Sequence, residues 1–159
     1  MSGPDSLLSR EIQQRRPFRS RGEETYLNLL RTSAVLGQRV ARWLKEAELT
    51  PTQYNALRIL RGAAPDALPC SEVGRRMVTP VPDVTRLLDR LEAVGLVTRC
   101  RDEADRRVVK VGISDQGLSR LAALDAPLLE RLDDMLSPLD DEEQATLIAL
   151  LERLRQANG

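Results

Sequence analysis

The sequence predicts a mainly helical chain carrying one small β-hairpin, and three observations lead there. Hydrophobic residues make up 42% of the 159 but aromatics only 3%, so the core must be built from Leu, Val, Ala and Ile rather than from stacked rings. Apolar positions recur every three to four residues along most of the chain, which is the helical period. Strand-like segments are confined to Leu96-Val97-Thr98 and Val108 to Ile113, on either side of a charged stretch. The length suits one compact unit. Its expected extent is residues 22–159, after an arm over 1–21 that mixes Gly, Pro, Ser and five arginines around at most a short helix near 5–15.

From Glu23, the positions Tyr26, Leu30, Ser33, Gly37, Val40, Leu44 and Ala47 define one long amphipathic helix, too long to be hidden by this small domain alone. Thr50-Pro51-Thr52-Gln53 supplies an N-cap, a proline at the first helical position and a glutamine at the third, opening a helix that Gly62 and Pro65 should end. A two-turn helix is expected over Ser71 to Met77. Thr79-Pro80 reads as a cap for a second helix, about 80–94, burying Val84, Leu87, Leu88, Leu91 and Val94 and stopping at Gly95, a left-handed C-terminal residue. Two short helices joined by a tight turn match a helix-turn-helix, to which the hairpin adds a wing. Ser114-Asp115 opens a helix with Leu118, Leu121, Leu124, Leu128, Leu132 and Met135 on one side and Pro127 within it, where a kink is expected. Asp140 with Glu143 forms a capping box for a last helix carrying Leu147, Leu150, Leu151 and Leu154.

Several function classes are disfavoured. No histidine and two cysteines 30 positions apart leave no zinc site, no metal centre and no histidine-based catalysis, and no spacing suggests an enzyme. No apolar run approaches the roughly 20 residues that span a bilayer, the first residues lack a signal-peptide pattern, and the expected location is the cytoplasm. The net charge of zero argues against a simple polybasic binder, yet the charge is unevenly placed: +4 over 1–70, +2 over 71–111 and −6 over 112–159. Of 24 basic residues 22 are arginine, which suits bidentate and minor-groove contacts and is also what a GC-rich genome yields.

The outward face of the helix near 80–94 shows Val81, Pro82, Asp83, Thr85, Arg86, Asp89 and Arg90. A recognition helix reads base edges from its N-terminal residues, where its dipole also meets phosphate. Thr85 suits a phosphate or a thymine methyl, and Arg86 a guanine edge or a phosphate. Asp83 would be repelled by phosphate unless it accepts from a cytosine N4 or neutralises an arginine, and the arginine partner is the favoured expectation. Read as plain surface, the same face is solvated, with Asp83 and Arg86 pairing three apart. In RCRDEADRR, residues 99–107, an arginine tip can enter a narrow minor groove while Asp105 holds the Arg107 fork. A surface ion-pair network of about 0 to 1 kcal/mol per pair is the alternative. Arg75, Arg76 and Arg106 complete the candidate DNA-binding set.

The run Val84-Thr85-Arg86-Leu87-Leu88-Asp89-Arg90-Leu91-Glu92, then Gly95-Leu96-Val97-Thr98-Arg99 and Asp102-Glu103-Ala104-Asp105-Arg106-Arg107, resembles the MarR family of winged-helix transcriptional regulators from about residue 22 onward. The resemblance implies a homodimer through terminal helices, about 22–47 and 115–157, and a DNA-binding winged helix over about 50–113. It also implies double-stranded DNA as partner, Arg107 in the minor groove, Asp105 positioning it, and often a small-molecule effector or oxidant that weakens binding. Pro80 and Pro82 depart from the Ser or Ala more usual there. No cofactor is expected. Cys70 is expected to be a buried structural thiol, and Cys100, between Arg99 and Arg101, is a candidate redox site. Trp43, Tyr26 and Tyr54 could line a ligand cavity or simply belong to the core. The function expected is a sequence-specific DNA-binding regulator, a repressor on a palindromic operator, with a winged-helix protein-interaction module as the alternative.

Overall fold

The computed structural model describes residues 6–102 and 105–159; residues 1–5 of the expected arm, and Glu103 and Ala104 of the wing motif, lie outside the described residues. The chain forms two compact units, divided between Pro51 and Thr52.

The first unit holds two helices. In α1 (Leu7–Glu11) the Ser6 hydroxyl accepts from the Ser9 N–H, and the chain leaves through Gln13 at φ 54°. Helix α2 (Arg21–Glu46) is capped by Ser20, whose hydroxyl accepts from the Glu23 N–H at 3.0 Å, while the Glu23 carboxylate accepts from the Arg19 N–H at 2.6 Å. The first bond satisfies a donor that every helix start leaves free, and the second ties the residue before the cap to the first turn. Arg31 reaches back to Glu11 at 3.0 Å and ties α2 to α1. Leu44 is buried, whereas Tyr26, Leu30 and Val35 on the same helix are exposed.

The second unit runs α3 (Pro51–Ala63), β1 (Leu68–Pro69), α4 (Cys70–Arg76), α5 (Val84–Ala93), β2 (Val97–Arg101), β3 (Val109–Ile113), α6 (Asp115–Leu136) and α7 (Asp141–Asn158). The three strands form one antiparallel sheet in the order β1-β3-β2, with Leu68 opposite Val111 and Arg99 opposite Val111 on the other side. This is the expected mainly helical fold with a small wing. Leu57, Leu60, Val73, Leu88, Leu91, Val97, Val111 and Leu121 are fully buried, each contributing about 1.5 to 3 kcal/mol of transfer free energy.

Several details differ from the sequence expectation. Gly62 lies inside α3, which continues to Ala63. Strand β1 escaped detection because two residues carry no periodicity. Helix α5 starts at Val84, about four residues later than expected. A proline keeps the residue before it out of the helical region, so Pro80 and Pro82 hold Thr79 and Val81 outside the helix. Val94 is not core but 56% exposed, at the helix end that Gly95 closes with φ 73°. Pro127 sits within α6. The Asp140–Glu143 capping box is present at α7, with 2.9 and 3.0 Å bonds.

Candidate nucleic-acid interface

Helices α4 and α5 pack closely because α4 carries Gly74 at the crossing. A Cβ there would stand 3.0 Å from the Val84 side chain, so a larger residue would push α5 away. The turn between the helices is fixed from a third element: the Asn55 side chain on α3 accepts from the Val78 N–H at 2.9 Å. Sequence reasoning missed both residues. Asn55 left a faint signal, a poor helix former inside an otherwise regular helix.

The predicted arginine partner for Asp83 is not what the side chain engages. Asp83 is the N-cap of α5, and its carboxylate accepts from the backbone N–H of Arg86 at 2.8 Å. It sits at the positive end of the helix dipole, where a carboxylate is stabilised. Val81 and Pro82 therefore belong to the approach to the helix, and its exposed face is Thr85, Arg86, Asp89 and Arg90.

Asp89 is spoken for from the wing. Arg99 on β2 places one terminal nitrogen 2.5 Å from the Asp89 carboxylate and 3.4 Å from the Thr85 carbonyl, while its Nε lies 3.3 Å from Glu92. That Nε is buried and makes no hydrogen bond, so the Glu92 contact is ionic only. Arg99 is thus not at the hairpin tip, as its place in RCRDEADRR suggested. It joins the wing to α5 and occupies the acid on the helix face, leaving Arg86 and Arg90 as that face's cations.

At the turn Asp102 and Asp105 are engaged within the hairpin. Asp102 accepts from the Asp105 N–H at 2.9 Å and pairs with Lys110, whose ammonium is driven to a higher pKa mainly by that hydrogen bond. Asp105 accepts from the backbone N–H of Arg107 at 3.0 Å. The expected grip of Asp105 on the Arg107 fork is replaced by a grip on its backbone: two residues on, an aspartate side chain reaches the main chain more readily than a long side chain's end. Arg101, Arg106 and Arg107 are exposed.

Arg75 and Arg76 both bond Glu72, at 2.7 and 2.6 Å, and these bonds, Arg75's first, bring the Glu72 carboxyl down to about 2. Cys70 is half-buried, with its thiol 3.8 Å from the Val109 carbonyl, rather than fully buried; Cys100 is exposed on β2, opposite Lys110. Arg39 lies over Trp43 and Arg58 over Tyr54, at 5.8 and 5.9 Å from the ring centres, and Tyr26 is 60% exposed.

A helix-turn-helix with an exposed cationic helix face and a cationic wing is an arrangement that meets a charged duplex. The model of the MarR family matches residues 47–108. The transcriptional regulator PecS of Dickeya dadantii is 30% identical over 129 residues, 80% of this chain and 78% of PecS. The chain belongs to the MarR family. Among solved structures, a MarR transcription factor from Planctomyces limnophilus is 37% identical, with TM-score 0.67 over 86% of this chain and 98% of that one. MepR of S. aureus, in a complex with DNA, is 25% identical, with TM-score 0.74 over 83% of this chain and 97% of MepR. This MarR-family protein is a DNA-binding transcription regulator of the winged-helix kind. Among the described residues no helix is long and apolar enough to cross a membrane, and no cluster of His, Cys, Asp or Glu could hold a metal ion.

Proposed function

We propose that this protein works in the cytoplasm as a homodimeric repressor on a palindromic operator, with Thr85 and Arg86 at major-groove base edges and Arg107 in the flanking minor groove. The observation that carries the reading is that Asp89 on the helix face is paired by Arg99 and Asp102 in the wing by Lys110, while Arg86, Arg90, Arg101, Arg106 and Arg107 stand exposed. A chain of zero net charge thereby presents arginine where DNA would lie. Two copies related by a two-fold would engage half-sites about one helical turn, roughly 34 Å, apart. Selection of bound fragments from genomic DNA should return an inverted repeat of that spacing. Equal affinity for random DNA would instead favour the protein-interaction module.

Arg107→Ala is expected to weaken operator binding by about 1 to 3 kcal/mol and to lower the salt slope by about one unit, with base preference unchanged. Asp105 separates the two ways of supporting it. Because asparagine can still accept from the Arg107 N–H, Asp105→Asn should keep the turn, remove a negative charge and bind DNA at least as tightly. Asp105→Ala should weaken binding. Weaker binding by both variants in a fluorescence titration would mean that the carboxylate's charge, not its backbone bond, holds the arginine.

A further inference from the structure

Arginine is distributed in this structure in a way the winged helix does not account for. Arg31, Arg61, Arg75, Arg76 and Arg99 each pair with a carboxylate. Between Ser6 and Arg21 stand five more, Arg10, Arg15, Arg16, Arg19 and Arg21, against one acid, Glu11. Glu11 is held by Arg31, and the nearest following acid, Glu23, spends an oxygen on the Arg19 backbone N–H. No guanidinium of the five has a carboxylate partner among the described residues.

The local backbone gathers part of this charge. At Gln13 the chain turns with φ 54°, and the Gln14 N–H returns to the Ser9 carbonyl at 2.8 Å. The turn encloses an open hollow of about 290 Å³ lined by Ser9, Arg10, Gln13, Gln14 and Arg15. Two guanidiniums, two carboxamides and a hydroxyl make a lining rich in hydrogen-bond donors, with no carboxylate in it. Pro17 then makes the chain after Arg16 stiff, so that Arg15 and Arg16 are presented with less backbone freedom to lose on binding.

We infer that the segment from Arg10 to Arg21 is a second DNA contact, which holds backbone phosphates in addition to those met by the winged helix. The inference rests on the DNA-binding reading above. Phosphodiesters fit because each offers a single dispersed negative charge with acceptor oxygens, which guanidinium forks engage bidentately, and because contacts of this kind need no base sequence. The element would supply affinity, with specificity left to α5.

The test compares the full-length protein with Arg10→Gln/Arg15→Gln/Arg16→Gln and with Arg10→Lys/Arg15→Lys/Arg16→Lys, on an operator fragment and on random DNA across a salt series. A dimer of the glutamine variant lacks six charges; if half or more of them meet phosphate, the slope of log K against log salt should fall by about 3 to 5 units. Affinity near 150 mM salt should drop by about 300-fold or more on both DNAs, so the ratio between them stays fixed. The lysine variant should keep most of the slope. Phosphate-ethylation interference should show contacts of the wild type that vanish in the glutamine variant while those of the winged helix remain. A glutamine variant with an unchanged slope and ethylation pattern overturns the inference and leaves the DNA-binding reading intact. A wild-type protein with no salt slope overturns both.

Discussion

Leu147→Glu/Leu150→Glu is expected to convert the protein to a monomer at micromolar concentration and to weaken operator binding by about 100-fold or more. Helix α7 has no buried residue along its 18 positions, although Leu147, Ile148, Leu150 and Leu154 are 40 to 56% exposed. Most of a helix's stability in a protein comes from packing its apolar face, and in the single chain that face of α7 is left facing water. At its start, Leu139, Thr146, Leu147 and Leu150 line an apolar hollow of about 450 Å³ rimmed by Asp140, Glu142 and Glu143. Exposed apolar patches of this kind, rimmed by polar groups, mark association surfaces, and a second copy of the chain brings the same patch about a two-fold axis. Two carboxylates placed there would be desolvated on association and would repel their symmetry mates. Because both leucines are already exposed in the single chain, the monomer should remain folded. DNA affinity then falls through lost avidity, since linking two reading heads is worth about 10²- to 10⁴-fold. Sedimentation gives the mass and a titration gives the affinity. A variant that stays dimeric would place the interface elsewhere.

Much of this architecture was legible in the sequence because its signals are local. Ser114 before Asp115, the Asp140–Glu143 pair and Gly95 after α5 each fix a boundary through bonds or φ values within a few residues, and each boundary is found where the residue types put it. The start of α5 was misplaced although its cause is local too. Thr79-Pro80 has the composition of a cap, but a second proline two residues later prevents the first turn from forming. What the sequence could not show is which partner an acidic side chain chooses. Asp83 and Asp105 each had an arginine within three residues, and both took that arginine's backbone N–H instead. Asp89 took a guanidinium ten residues away, because the sheet brings Arg99 over α5. Such choices depend on tertiary placement, and so did the two residues missed altogether, Asn55 and Gly74.

The other large effect is expected at Gly117, where Gly117→Ala should lower stability by about 3 kcal/mol and the melting temperature by roughly 10 °C. The first turn of α6 lies hard against the end of α5 and the start of β2. Ser114 donates from its N–H to the Leu96 carbonyl at 3.1 Å and from its hydroxyl to the Gly95 carbonyl at 2.6 Å, and the same hydroxyl caps α6 by accepting from the Gly117 N–H at 3.0 Å. A Cβ on Gly117 would collide with the Leu96 carbonyl oxygen and stand 2.8 Å from the Ile113 side chain. The obstacle is backbone, so either α6 lifts or β2 moves. Since β2 carries Arg99 and leads to the wing, DNA affinity measured well below the melting temperature should fall as well. Gly95→Ala is the milder neighbour. Its φ of 73° costs an L-residue about 1 to 2 kcal/mol, but the atom a Cβ would meet, at 2.8 Å, is the end of the flexible Gln116 side chain. Both changes press on the segment around Leu96, so the double variant should lose less than the sum of the two. A melting temperature within 2 °C of wild type for Gly117→Ala, roughly 1 kcal/mol or less at this size, would mean that α6 and the wing are not rigidly joined there.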